Sequence, residues 1–333
     1  MNIAMWGRAL RTIPRLSKEE WSALDIIAKW LIATRSAVLV MTFTSAAIAG
    51  LLAWRDGLLD LGLWALLALG LVMAHATNNL LNDLIDYRAG VDQDNYFRAQ
   101  YGPQPLVHGL LTQRGLLLYV AVTGLLALLP GAYLVWLRGP TALWLLLAGA
   151  FFVVFYTWPL KYVGLGEVAV LAVWGPLMVG GGYFVITGRW DWNVVLASLP
   201  QTLAATTVLF GKHIDKLGSD KARGIRTLPV LLGERNARYT ALVLFVLEYA
   251  IVLYLVASGY FTPALLVVLL AVTALRTAVP VFLRPRPDAP PPGFPPEVWP
   301  LWYAPVAFVH TRRFGGLFML GLLLEVAWRA VSG

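Results

Sequence analysis

The 333-residue sequence contains no cysteine. Disulfides, thiolate metal sites and cysteine nucleophiles are therefore excluded. Charge is scarce too: Asp, Glu, Lys and Arg fill 13% of positions, against about 25% in an ordinary soluble domain. The four histidines, His75, His108, His213 and His310, are scattered and lack the close spacing of a zinc site. The first residues do not read as a cleavable signal, because no basic start leads into a short apolar core with a small-residue cleavage site.

What fills the chain instead is apolar. Hydrophobic residues make up 59% of it and the mean hydropathy is +0.70. Several runs exceed the roughly 18 residues a helix needs to cross a bilayer core. Nine spans are predicted: 30–54, 61–84, 115–137, 141–158, 167–187, 193–211, 238–258, 261–283 and 315–332. Pro130, Pro176 and Pro280 fall in or near them, where neighbouring helices can satisfy the freed carbonyls. Residues 1–28 interleave Arg8, Arg11, Arg15 and Lys18 with Trp6, Leu10, Ile13, Leu16 and Trp21, the pattern of an amphipathic segment on a membrane surface. The remainder, 29–333, reads as one transmembrane domain.

The net charge of +8 is distributed by side. With the N-terminus cytoplasmic, 20 of the 26 Lys and Arg residues lie in inside segments and 4 in outside ones (Arg55, Arg138, Arg189, Arg329). Arg35 and Arg276 lie within spans. This positive-inside asymmetry accounts for the basic excess and makes a nucleic-acid partner unnecessary. It predicts a multi-pass protein of the cell (plasma or inner) membrane, with N-terminus and working face cytoplasmic. The long inside loops are expected at 85–114 and 212–237, with a stiff Pro-rich connector at 284–314.

Each of the first two loops follows an acidic cluster, and their likeness hints at an internal duplication. The first cluster holds Asn78, Asn79, Asn82, Asp83, Asp86 and Asp92. Asn78, Asn82 and Asp86 recur every four residues and share one helix face; Asp83 can join them, and Gly90 ends the helix so that Asp92 folds back. Hard oxygen donors of this kind suit Mg2+, which is commonly held by one or two carboxylates plus substrate phosphates. The bland alternative is a helix end whose Asn and Asp residues only cap and solvate. The second cluster holds Lys212, Asp215, Lys216 and Asp220, followed by Lys221, Arg223 and Arg226. Asp215 and Asp220 are five apart, roughly 140° around a regular helix, so a break near Gly218 is needed to aim both inward. Alone, this set reads equally well as a solvated loop. Together, acids that gather metal and cations that take diphosphate oxygens describe a polyphosphate site.

These residues resemble the UbiA superfamily of intramembrane prenyltransferases. Asn82-Asp83-Leu84-Ile85-Asp86 is similar to its first Asp-rich motif, and the stretch from Asp220 through Arg226-Thr227-Leu228 to Gly233 is similar to the end of its second. Tyr156-Thr157-Trp158-Pro159-Leu160-Lys161-Tyr162, running on to Gly166-Glu167 and then Trp174-Gly175-Pro176, resembles the branch that uses 1,4-dihydroxy-2-naphthoate, as do Gly90-Val91-Asp92 and Gly102-Pro103. The likeness runs from about residue 30 to 330. Two positions depart from the pattern: the second-motif acids are usually four apart, and a family Arg-Pro is here Arg35-Ser36.

The resemblance implies an all-α bundle of about nine spans around a central cavity, with a cytoplasmic loop cap. It implies Mg2+ shared between both acidic sets and an isoprenyl diphosphate, whose prenyl group passes to an aromatic or lipid acceptor. The expected metal ligands are Asn82, Asp83, Asp86, Asp92, Asp215 and Asp220. Lys161, Arg226, Lys212 and Arg35, with Asn82, are expected to hold the diphosphate. Lys161 and Tyr156 join Asp83, Asp86 and Asp220 as catalytic candidates. Tyr156, Trp158, Tyr162 and Trp174 are read as aromatic faces for an allylic cation, or else as an interfacial belt. Inside the spans, Glu248 and Arg276 are expected to pair, His75 to orient Asn79 or simply to pack, and Glu325 has no assigned role.

Three rivals stand beside this reading. A transporter would place its ionisable groups along a pathway near mid-bilayer, which only Glu248, Arg276 and Glu325 favour. A CDP-alcohol phosphotransferase would need an acidic stretch with Asp-Gly and Ala-Arg pairs that is absent here. A UbiA-type terpene cyclase shares the ionisation step but needs no aromatic acceptor.

Overall fold

The computed structural model describes residues 2–90, 104–295 and 298–332, and among them the only regular elements are helices. Eight helices are long and apolar enough to cross a membrane: Ser36–Arg55, Leu61–Arg88, Gln113–Arg138, Gly166–Thr187, Trp192–Asp215, Leu228–Ala257, Pro263–Leu283 and Tyr303–Val331. A shorter apolar helix, Pro140–Phe155, lies between the third and fourth of these. Numbered in chain order with the shorter helix as the fourth, these make nine segments, eight of them long enough to cross. The fourth span is about 24 Å long, less than the hydrocarbon core. It ends before Pro159 because a residue preceding proline is pushed out of the helical region.

Several boundaries differ from expectation for physical reasons. The second span continues through Asp86 to Arg88, and Gly90, at φ 67°, closes it. The stretch 212–237, expected as a loop, is largely helical: the sixth span runs to Asp215, a short helix covers Leu217–Ala222, and the seventh starts at Leu228 with a kink at Gly233, whose φ is 76°. The ninth span begins at Tyr303, not 315, because Pro305 sits in its first turn, where a missing N–H costs nothing.

The chain forms two compact units. One comprises Met1–Ala46 with Leu61–Trp158, the other Ala47–Asp60 with Pro159–Gly333. In the first, the N-terminal helix Ile3–Arg11 buries Ala9 beside Trp21, Leu31, Leu80, Leu84, Leu106 and Leu110. Asp25 clasps this segment, accepting from the backbone N–H groups of Ala28 (2.9 Å) and Asn2 (2.6 Å) and from the Trp6 indole (3.0 Å). Those donors, Ala28 foremost, hold its carboxyl down to about 2.

In the second unit the sixth span is the axis. Gly175 and Gly180 let the fifth approach it so closely that a Cβ would meet Ser198 and Thr202 at 2.9 Å, or Val195 at 2.8 Å. Around Pro176 the fifth span widens into a π-helical stretch, Val173–Gly180, where Gly181 N–H bonds to the Pro176 carbonyl five residues back. Proline has no N–H and crowds the carbonyl four residues earlier, and a widened turn accommodates both defects. Phe210, Ile214, Phe245, Phe282 and Tyr303 form the core between the sixth, seventh, eighth and ninth spans.

Candidate active site

The first acidic set occupies the last turns of the second span. Asp83 and Asp86 are buried, at 3% and 5% exposure, which is costly for carboxylates unless they are paired. Arg35 Nη2 supplies a partner, 3.1 Å from Asp83 Oδ1. The same nitrogen donates to Asn82 Oδ1 at 3.2 Å and to the Asn79 carbonyl at 2.9 Å. Asn82 passes its amide hydrogens to Asp86 (3.1 Å) and Thr157 (3.1 Å). Asn79 in turn donates to the Thr34 carbonyl, and Asn78 to that of Val153. The four-residue stacking read from the sequence is thus present, with Asn82 as its hub. Half-buried Tyr156 lies beside Thr157, while Trp158 is exposed. Asp92 lies outside the described residues. His75 Nδ1 lies 2.8 Å from the Thr42 hydroxyl.

The second set lies at the end of the sixth span and in the helix after it. Asp220 is 3% exposed, and Lys216 Nζ sits 3.1 Å from its Oδ1. Its other oxygen, Oδ2, is buried without a hydrogen-bond partner among the described residues. An orphaned buried carboxylate oxygen is expensive and fits a position meant for a cation. Asp215 has a different task. Its Oδ1 accepts the N–H groups of Trp302 (2.9 Å) and Tyr303 (3.0 Å), and its Oδ2 that of Ala304 (3.0 Å). These are orphan donors of the ninth span's first turn, so the expected metal ligand serves as a helix cap. Lys212 is half-buried and Arg226 is exposed. Lys161 sits 5.6 Å from the Tyr162 ring.

A pair that sequence reasoning did not single out joins the same unit: Glu167 Oε1 lies 2.5 Å from His213 Nδ1, both residues buried, and Glu167 Oε2 accepts from Leu228 N–H. The two residues lie 46 positions apart, so no local spacing marks them as partners.

The family model described as "UbiA prenyltransferase family" matches residues 43–326. The chain belongs to this family. It is a prenyltransferase, and both acidic sets fall inside the matched range. Among relatives of this UbiA enzyme, the 1,4-dihydroxy-2-naphthoate octaprenyltransferase of Escherichia coli K12 is 30% identical over 220 residues, covering 63% of this chain and 70% of that protein. The enzyme of the same description from Bacillus subtilis 168 is 26% identical over 302 residues, covering 88% and 91%. A solved UbiA homolog from Archaeoglobus fulgidus, bound to GPP and Mg2+, shares the fold with a TM-score of 0.56 at 16% identity over 90% of this chain and 99% of that one.

Two of the groups that favoured a transporter, Glu248 and Glu325, have structural partners in this prenyltransferase. Glu248 pairs with His310 Nε2 at 3.1 Å rather than with Arg276, which is exposed. Glu325 accepts from the Thr262 N–H and hydroxyl and from Arg329.

Proposed function

We propose that the enzyme transfers a polyprenyl group from an isoprenyl diphosphate to an aromatic acceptor, a hydroxynaphthoate or related quinone precursor, in a Mg2+-dependent reaction that releases pyrophosphate. The observation that carries this reading is the buried Oδ2 of Asp220, without a hydrogen-bond partner among the described residues, on a chain that also buries Asp83 and Asp86 beside half-buried Asn82. Asp83, Asp86 and Asp220 would hold the metal, with Asn82 in support. Asp215, whose oxygens already accept three N–H groups, leaves the ligand set. The basic asymmetry of the sequence supports a cytoplasmic working face.

Mg2+, when bound, neutralises the charge that builds on pyrophosphate as the allylic C–O bond breaks. Lys161, Lys212 and Arg226 take diphosphate oxygens as charge-assisted donors. Tyr156, Tyr162 and Trp174 offer ring faces that stabilise an allylic cation without reacting with it. The relatives that act on dihydroxynaphthoate, together with the Tyr156–Glu167 stretch, favour a bicyclic aromatic acceptor over a lipid alcohol.

The test offers geranylgeranyl diphosphate with hydroxynaphthoates, hydroxybenzoates and lipid alcohols, and identifies products by mass spectrometry. A prenylated naphthoate is expected; a hydrocarbon or a lipid ether as the main product would overturn the acceptor assignment. Asp86→Ala should lose Mg2+-dependent pyrophosphate release while still eluting as folded protein in detergent. Near-parental turnover in that variant would sink the site assignment.

A further inference from the structure

We propose that Arg35 is a built-in counter-cation of the first acidic set: without metal its guanidinium occupies the oxygens a divalent cation would use, and it gives them up when the cation arrives. The proposal rests on the reading above that this set takes Mg2+. Three observations carry it.

First, Nη2 of Arg35 faces three oxygens at once: Asp83 Oδ1 at 3.1 Å, Asn82 Oδ1 at 3.2 Å and the Asn79 carbonyl at 2.9 Å. One NH2 group has two hydrogens, so three acceptors around it form a cation's environment rather than matched hydrogen bonds. Carboxylate, amide and carbonyl oxygens are also the donors a hard divalent cation prefers.

Second, Asp83 is almost fully buried and the Arg35 side chain is 13% exposed. A buried carboxylate needs a counter-charge whether or not metal is present. Arg35 supplies it from the turn between Ile26–Ala33 and Ser36–Val38, so the acidic turn can fold before metal binds.

Third, Arg35 is the one non-glycine residue with positive φ among the described residues, at 55°. L-residues adopt that conformation at a cost, and such positions persist where surrounding contacts over-determine them. Here the left-handed turn ends the helix Ile26–Ala33, with the Arg35 N–H bonded to the Ile32 carbonyl and the Arg35 carbonyl accepting from Val38, so the backbone fixes where the guanidinium starts. Once the three oxygens engage a metal, the guanidinium fork is free to turn to phosphate, which it matches in shape.

Arg35 therefore opposes metal binding alone and assists binding of metal with diphosphate. The probe is Mn2+, added alone to the full-length protein in detergent and followed by the electron paramagnetic resonance signal of the free ion. Arg35→Gln should bind Mn2+ alone about fivefold tighter or more, the low end of ordinary coupling between sites. In the presence of Mn2+ it should bind the unreactive analogue geranyl thiodiphosphate more weakly than the parent. A purely structural role would weaken both. Equal or weaker Mn2+ affinity in Arg35→Gln overturns the proposal. Should that variant not fold, Arg35→Lys serves: a single ammonium cannot hold all three oxygens in place, so Mn2+ alone should again bind tighter, and parental affinity would refute the idea. If the parent itself binds no Mn2+, the metal-dependent reaction fails first, and this role with it.

Discussion

Glu248 is fully buried, and its Oε1 lies 3.1 Å from Nε2 of an equally buried His310, which the Tyr249 hydroxyl also reaches at 2.9 Å. Phe245 and Phe314 flank the imidazole at ring distances of 4.7 and 6.1 Å. Removing one partner of such a contact leaves the other polar group buried and unmatched, at a cost of about 1–3 kcal/mol. Glu248→Ala should therefore lower the melting temperature in detergent clearly, and Glu248→Met combined with His310→Leu should restore much of the loss. Equal melting of the parent and Glu248→Ala would show the contact to be idle. The pairing was not legible in the sequence. Expecting Arg276 as the partner assumed a regular eighth span, but Pro263–Ala271 winds as a 3-10 helix. Nine residues at three per turn rather than 3.6 shift the following side chains by about half a revolution, leaving Arg276 exposed.

Among the elements, the start of the ninth span is the most informative. Gly211 brings the sixth span so near that a Cβ there would lie 2.9 Å from the backbone of Tyr303 and Ala304. One turn later Asp215 receives the N–H groups of that same segment, and Arg286 ties the connector to it by donating to the Asp215 and Pro300 carbonyls at 3.1 and 3.0 Å. Loss of a helix cap costs about 1–2 kcal/mol. Asp215→Ala should accelerate hydrogen exchange at the amides of residues 302–304, and Asp220→Ala should leave them protected. Protection unchanged in Asp215→Ala would remove the capping role. The five-residue spacing of Asp215 and Asp220 already marked a departure from the family pattern. What the departure meant could not be read, because the groups that occupy Asp215 come from 87 to 89 residues further on. The first acidic set was legible because its geometry is local: a four-residue repeat on a helix reads the same on paper as in space.

For the whole molecule, apolar length and the distribution of Lys and Arg make a directional statement about the membrane. Because the chain has no cysteine, single introduced thiols can test it directly. Lys221→Cys, on an exposed position after the sixth span, should react with an impermeant maleimide only from the cytoplasmic side. Arg189→Cys, between the fifth and sixth spans, should react only from the opposite side. Labelling of both from one side would invert or break the nine-span count. Eight of the nine expected spans are legible from hydropathy and present in the structure, while Pro140–Phe155 is too short to count by length alone. The division into two compact units is not legible, because it depends on which apolar faces meet, and composition carries no record of that.

The widened turn at Pro176 has a practical corollary for anyone recombining homologous chains. A residue in an α-helix advances about 100° around the axis. A crossover partner lacking the extra residue would inherit a twist of that size between Trp174 and Tyr183, on either side of the π-helical stretch. Chimeras joined inside Val173–Gly180 should misfold even where both parents are sound, whereas junctions in the turn at Gly188 carry no such phase error.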